Sequence, residues 1–311
     1  MLVLRKGVLR TFSFKFANLN CSLRMEHSAS IINAEDKTDL YHNCFNPNLL
    51  RGNVAFVTGG GSGIGYSITE VLMRHGCKTV IASRNKEKLE KAANSLKQLT
   101  AQDCYPLVMD VRKPDQIMSA VDSALGRFGR IDFLINNSAG NFLCPASNMS
   151  FNAFKTVMEI DAQGTFNVSK VLFDKYMKDH GGVIVNISAT LQLRGVPFQA
   201  HASSAKAAVD TLTKCLAVEW GRLGIRVVGV APGPTGDTEG LNRLGKAGNM
   251  QYETSQNIPL GKIGNKLDIG YSILYLLSPV ASYITGHTMV VDGGDWMTSN
   301  HFGLMKPNSN L

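Results

Sequence analysis

From about residue 53 onward, short apolar runs rich in Val and Ile alternate with longer segments of helical period. No other feature restricts the possible fold as much. The runs are "NVAFVT", "KTVIAS", "YPLVMD", "DFLIN", "GVIVNIS", "IRVVGVAP" and "HTMVVDGG", seven in all. They are continuously apolar instead of alternating, as strands of a parallel sheet buried on both faces are. Between them lie Gly63–Gly76, Lys86–Leu99, Pro114–Phe128, Phe151–Lys178 and Ser203–Gly221, which carry the helical pattern. Strands alternating with helices make βαβ units, so the pattern predicts an α/β fold: a doubly wound parallel seven-stranded sheet with helices on both faces.

A length of 311 residues admits two domains on size alone, yet no repeat or low-complexity linker divides the patterned region. One domain over about 50–300 is predicted, with an extension over 1–49 and a tail over 301–311. No apolar run approaches the roughly 20 residues of a membrane-spanning helix. The six cysteines form no CxxC and no cluster with histidine, which predicts reduced, buried thiols and no metal site. Five of the net +8 charges, Arg5, Lys6, Arg10, Lys15 and Arg24, fall in the acid-free stretch 1–24. The basic balance belongs largely to this leader, so no nucleic-acid partner is expected. The stretch has the composition of a mitochondrial presequence, of a tail without an address, or of residues bypassed by a start at Met25.

In "VAFVTGGGSGIG" a glycine-rich turn sits directly between a strand and a helix. Gly59 and Gly63 allow a tight turn and close backbone approach, and Gly65 lets the helix pack on the sheet. With Gly60, Gly61, Ser62 and Ile64 they form a cradle whose helix amino end attracts a pyrophosphate. This makes the domain Rossmann-type. The second strand ends in Ser83 and Arg84, where an acidic residue would accept from the 2′-hydroxyl of NAD. A guanidinium instead suits a 2′-phosphate and favours NADPH, unless Arg84 is only a solvated loop charge. Asp110 closes the third strand as a candidate acceptor for the adenine amino group, and Asn137, Ala139 and Gly140 of "NNSAG" let backbone pass close to the adenosine. The segment over 232–260, rich in Gly, Asn and Thr, follows a strand's carboxyl end, where ligands bind in such sheets; it is a candidate lid.

With "TGGGSGIG", "NNSAG", "PGP" and Lys206 in this order, the chain resembles the short-chain dehydrogenase/reductase family over about 50–300. That family's site is an Asn, a Ser, a Tyr and a Lys, with the tyrosine four residues before the lysine as proton donor. Three of the four differ here. Ala202 stands at the tyrosine place, Ala189 between Ser188 and Thr190 at the serine place, and Asp161 at the asparagine place. Only Lys206 remains.

These departures, with "AGNFLCPASNMSFNAFKTVMEIDAQGTFNVSK", "SSAKAAVDTLTKCLAVEWG" and "APGPTGDTEGLNRLG", resemble the branch of peroxisomal 2,4-dienoyl-CoA reductases. Mitochondrial members keep a displaced tyrosine; Tyr176 and Tyr252 are not placed to supply one. The branch implies NADPH-dependent reduction of trans-2,4-dienoyl-CoA to trans-3-enoyl-CoA, an auxiliary step of unsaturated fatty-acid β-oxidation. It implies that Lys206, Pro232, Gly233, Pro234, Thr235, Gly236, Asp237 and Thr238 hold the cofactor. Arg84, Arg112, Phe142, Ser150, Phe151, Asn152 and Arg243 match positions that bind substrate, although a surface arginine, a core phenylalanine or an N-cap at Ser150 reads equally well.

For catalysis, Asp161, Lys206 and an ordered water form the expected proton-delivery unit. Asp292 is a second acid whose alternative is a turn cap before Gly293. The family also implies a homotetramer. The branch implies peroxisomes, with "SNL" (Ser309, Asn310, Leu311) as an imperfect C-terminal signal, against the mitochondrial reading of the leader. Two rival functions stand beside this one: an NADP(H)-binding homologue without catalysis, and a reductase of another enoyl or carbonyl substrate.

Overall fold

The computed structural model describes residues 45–236, 238, 255 and 258–298. In the compact unit Cys44–Leu311, strands β1 (Val54–Thr58), β2 (Lys78–Ser83), β3 (Cys104–Val108), β4 (Phe133–Asn136), β5 (Gly182–Ile187), β6 (Ile225–Pro232) and β7 (Thr288–Val291) form one sheet. The order is β3-β2-β1-β4-β5-β6-β7, and every pairing is parallel. Strand order reverses between β1 and β4, which opens a crevice at the carboxyl ends of those strands.

The helices are α1 (Gly63–Arg74), α2 (Lys86–Thr100), α3 (Pro114–Phe128), α4 (Phe151–Met158), α5 (Gly164–Leu172), α6 (Lys178–His180), α7 (Ala200–Trp220), α8 (Lys266–Leu277) and α9 (Asp295–Thr298). The seven strands agree with the apolar runs because those runs are buried. All five residues of β1 are buried, and Phe56, Val80, Leu134, Ile184 and Val227 form one core with the helix faces.

Three features depart from the sequence pattern. The segment expected as one helix over Phe151–Lys178 is a rod broken by two π-helical turns, Glu159–Gln163 and Phe173–Met177. The first carries Asp161. Helix α7 begins at Ala200 instead of Ser203, so His201 and Ala202 belong to its first turn. Helix α8 has no counterpart in the sequence pattern because "KLDIGYSILYLL" is apolar over most of its surface and shows little stripe; it buries Ile269, Gly270, Ile273 and Leu274. A Cβ on Gly270 would lie 2.7 Å from Val71 Cγ2, so glycine lets α8 close on α1.

The thiols also depart in part. Cys77 and Cys104 are buried, and burial raises both pKa values, that of Cys104 to about 11. Cys144 is partly buried and Cys215 is exposed.

The middle of the sheet holds a polar chain that periodicity does not reveal. Asn136 Nδ2 donates to Ser169 Oγ (2.9 Å) and to Asn186 Oδ1 (2.9 Å), and Asn186 Nδ2 donates to Thr213 Oγ1 (2.9 Å). It ties β4 and β5 to α5 and α7, the helices that carry the site. Replacing Asn186 with Leu removes one link on each side within the buried interior. A loss of about 1–3 kcal/mol is expected from the unmet groups, read as a lower urea midpoint at unchanged slope; a smaller loss than about 0.5 kcal/mol would mean the chain does not hold these helices.

Candidate active site

The glycine turn leaves β1 with Gly59 at φ +67° and enters α1 with Gly63 at φ +57°. Both lie in the left-handed region where a side chain is strained. A Cβ on Gly65 would come within 2.4 Å of Gly59 O and of Asn137 Nδ2. Ser62 caps α1 without a side-chain hydrogen bond, so the first-turn amides are left to meet an anion.

Thr58 Oγ1 accepts from Asn137 N (2.9 Å) and Ser138 N (3.0 Å), and Asn137 Nδ2 donates to Thr58 O (3.1 Å). The "NNSAG" segment is thereby fixed against the turn. Turn, backbone and free amides fit a dinucleotide pyrophosphate.

Ser83 is half-buried and Arg84 exposed at the end of β2. Asp110 and Arg112, assigned separately to adenine and substrate, are bound to each other. The guanidinium donates from Nε (3.0 and 3.1 Å) and Nη2 (2.6 Å), and the Arg112 amide donates at 3.0 Å. These bonds hold the Asp110 carboxyl below its usual range and raise the Arg112 pKa.

The centre is an ion pair. Lys206 Nζ lies 3.1 Å from Asp161 Oδ2 and donates to Ile187 O at 2.9 Å. Asp161 Oδ1 accepts from Gly140 N at 2.7 Å, and Asp161 is 1% exposed. The π-turn inserts an extra residue into the rod and delivers this carboxylate from one helix to the lysine of another; such turns recur at functional sites. Ala202, one turn before Lys206, is 2% exposed, so the tyrosine place is filled by a methyl group. Ser188 and Thr190 are buried, and Ser188 Oγ accepts from Gln192 Nε2 at 3.0 Å.

Both carboxylate oxygens of Asp292 are taken by backbone amides, from Gly294 (2.8 Å) and Trp296 (2.8 Å). These are the contacts of the turn cap, the alternative reading of this acid. Ser150 caps α4, accepting from Ala153 N at 3.1 Å, and Phe151 and Asn152 are exposed. Phe142 is partly buried against His201.

Beyond Pro232, Gly233 N donates to Val291 O (3.0 Å) and Gly236 N to Gly264 O (2.9 Å), while Thr235 and Thr238 bond within the turn. Pro234 O accepts from Gly264 N at 3.0 Å. Asp237, Arg243 and most of 232–260 lie outside the described residues, as do the leader and the C-terminal "SNL". Among the described residues, no group of ligands could hold a metal ion and no helix is long and apolar enough to cross a membrane.

A doubly wound sheet, a glycine-rich turn at its switch point and a buried lysine on the helix after β5 are the features of a nicotinamide-dependent oxidoreductase. The chain belongs to the short-chain dehydrogenase/reductase family. The family model described as enoyl-(acyl carrier protein) reductase matches residues 59–295.

Among its relatives, the peroxisomal 2,4-dienoyl-CoA reductase [(3E)-enoyl-CoA-producing] of Danio rerio is 56% identical over 268 residues, covering 86% of this chain and 89% of its own. A short chain dehydrogenase of Bacillus anthracis has 39% identity and a TM-score of 0.72, over 79% of this chain and 97% of its own. A 3-ketoacyl-(acyl-carrier-protein) reductase of Brucella melitensis, solved with NADH, has 29% identity and a TM-score of 0.73, over 79% of this chain and 99% of its own.

Proposed function

We propose that the protein reduces trans-2,4-dienoyl-CoA to trans-3-enoyl-CoA with NADPH. The buried Asp161–Lys206 pair beside Ala202 carries this reading, and the names of the relatives support it. A carbonyl reductase makes an alkoxide and wants an acid within reach of that oxygen; here the acid's place holds alanine. Reduction of a conjugated diene makes no alkoxide.

When bound, the nicotinamide supplies the hydride to C5 of the acyl chain. Negative charge then spreads to the thioester oxygen as a dienolate, which pre-positioned donors and charge stabilise. A proton is next required at C2. Asp161 and Lys206 hold the water that gives this proton, and the pair returns one to the water and is recharged from solvent. Lys206 also holds the cofactor ribose.

Arg84 and Ser83 favour the 2′-phosphate of NADPH. Arg112 and Arg243 are the cations for the coenzyme A phosphates, and Phe142 is the wall of the acyl site. Residues 232–260 form the substrate loop of a single domain over 50–300. The apolar groove of Ala162, Phe166, Ala208 and Leu212, between α7 and the first π-turn with α5, suits assembly into a homotetramer. Peroxisomal delivery belongs to the same reading.

The test follows NADPH absorbance. Turnover with a 2,4-dienoyl-CoA is expected to exceed that with a simple ketone by at least about a hundredfold, and NADPH to be preferred to NADH, since a phosphate-binding arginine is worth about 1–3 kcal/mol. NADPH binding without dienoyl-CoA-dependent oxidation would favour the non-catalytic homologue.

A further inference from the structure

His201 immediately precedes Ala202 in the first turn of α7 and is 0% exposed. Neither Nδ1 nor Nε2 makes a hydrogen bond of good geometry within the protein, the Phe142 backbone being a polar neighbour of the ring. Buried polar atoms are rarely left unmet, so an orphaned imidazole points to a partner outside the chain. Asn141 Oδ1, Gln199 Oε1 and Ser203 Oγ are also buried and unpartnered.

The four residues lie on two adjoining stretches. Cys144 N donates to Phe198 O at 3.1 Å, and the rings of Phe142 and His201 are 4.3 Å apart, tilted by 33°. An imidazole and amide oxygens supply the mixed donors and acceptors that an internal water needs. The Phe198 backbone that introduces them sits at φ +64°, a strained conformation for a bulky residue.

The cluster adjoins the ion pair. Gly140, next to Asn141, donates to Asp161. Burial lowers the His201 pKa, offset in part by the Phe142 backbone and the Asp161 carboxylate. The imidazole is therefore neutral near pH 7, with one nitrogen donating and one accepting.

We propose that His201 is a positioning residue of the reaction: its imidazole, with Asn141 and Gln199, holds the water that Asp161 and Lys206 use to protonate C2. His201 itself neither gains nor loses a proton in the step. The inference rests on the function proposed above. No residue of the family's usual tetrad stands at this position, and what singles it out in the sequence is only a histidine inside "QAHASSAK".

The test compares His201→Phe, which keeps the ring and its packing on Phe142, with His201→Gln, which keeps a donor and an acceptor. The Phe variant is expected to lose about tenfold to a hundredfold in kcat through misplacement of the water. Its KM for dienoyl-CoA and Kd for NADPH should change by no more than about threefold, and its solvent deuterium isotope effect on kcat should rise. The Gln variant should recover much of the loss.

A Phe variant with wild-type kcat and isotope effect overturns the proposal, as does a folded Gln variant no better than Phe. Should Phe fail to fold, as judged by its melting temperature, His201→Leu, which removes both ring nitrogens, takes its place: a loss in kcat with a raised isotope effect that Gln recovers supports the proposal, and wild-type behaviour of the Leu variant overturns it. In crystals of the wild type, an ordered water within about 3.2 Å of a ring nitrogen supports it, and a ring bonded only to protein overturns it. Failure of the underlying function looks different, because the wild type itself would then not oxidise NADPH with dienoyl-CoA.

Discussion

Asp161→Asn is expected to lower kcat by about 10²–10⁴-fold, the range lost when a positioned proton-transfer group is removed, while NADPH affinity stays close to that of the wild type. The substitution keeps the shape and the acceptor for the Gly140 amide. It turns the atom facing Lys206 from an acceptor at 3.1 Å into a donor, so the ammonium loses its counter-charge in a nearly closed site. Breaking a buried pair from one side costs about 3–5 kcal/mol, and a side chain 10% exposed, still bonded to Ile187 O, sits toward the lower end. A lower melting temperature should accompany the lost activity.

The Lys206→Met partner experiment separates chemistry from folding. Alone it should abolish turnover and also weaken NADPH, because Lys206 is the group proposed to hold the ribose. Combined with Asp161→Asn it should regain part of the stability, since no uncompensated charge is left, yet remain as inactive as the worse single variant. Retention of kcat within about threefold in Asp161→Asn would sink the proton-delivery role.

What the sequence makes legible here follows its physics. Strands buried on both faces must be continuously apolar, so "VAFVT" and "GVIVNI" declare themselves. The glycine turn is legible because glycine adopts the φ of Gly59 and Gly63 without strain. Asp161 and Lys206 were found through their places in the motif, but nothing in their spacing shows that they meet. That depends on the π-turn of Glu159–Gln163, an irregularity no helical period encodes.

Asp292 shows the opposite limit. An aspartate before glycines at a strand's carboxyl end has the same sequence signature whether it moves a proton or caps a turn, and its two amide partners favour the cap. The Asn136–Asn186–Thr213 chain and His201 stayed hidden because a buried polar residue in an apolar or small-residue run reads as part of the core. Only the positions of their partners, or the want of them, distinguish a strut from a spare group.

Gly65→Ala should weaken NADPH binding by at least about a hundredfold, or about 2.7 kcal/mol. The added methyl would sit 2.4 Å from Gly59 O and 2.4 Å from Asn137 Nδ2, and 2.9 Å from Gly59 C. Two of these atoms belong to backbone, so no side-chain rotation relieves the clash. Overpacking of this kind costs about 1–3 kcal/mol in stability. The cost to binding is larger in kind, because the displaced atoms line the proposed pyrophosphate cradle. Gly59 forms the turn, and Asn137 Nδ2 donates to Thr58 O and Gly59 O, so a shift at one reaches "NNSAG" and through Gly140 the Asp161 carboxylate.

Gly126→Ala provides the contrast. It lies inside α3, a Cβ there meets nothing within 4 Å, and alanine in a helix interior is favoured over glycine by about 0.5–1 kcal/mol. That variant should melt slightly higher and bind NADPH unchanged. Fluorescence titration of both reads the difference, and equal affinities would mean the glycine turn is not where the pyrophosphate rests.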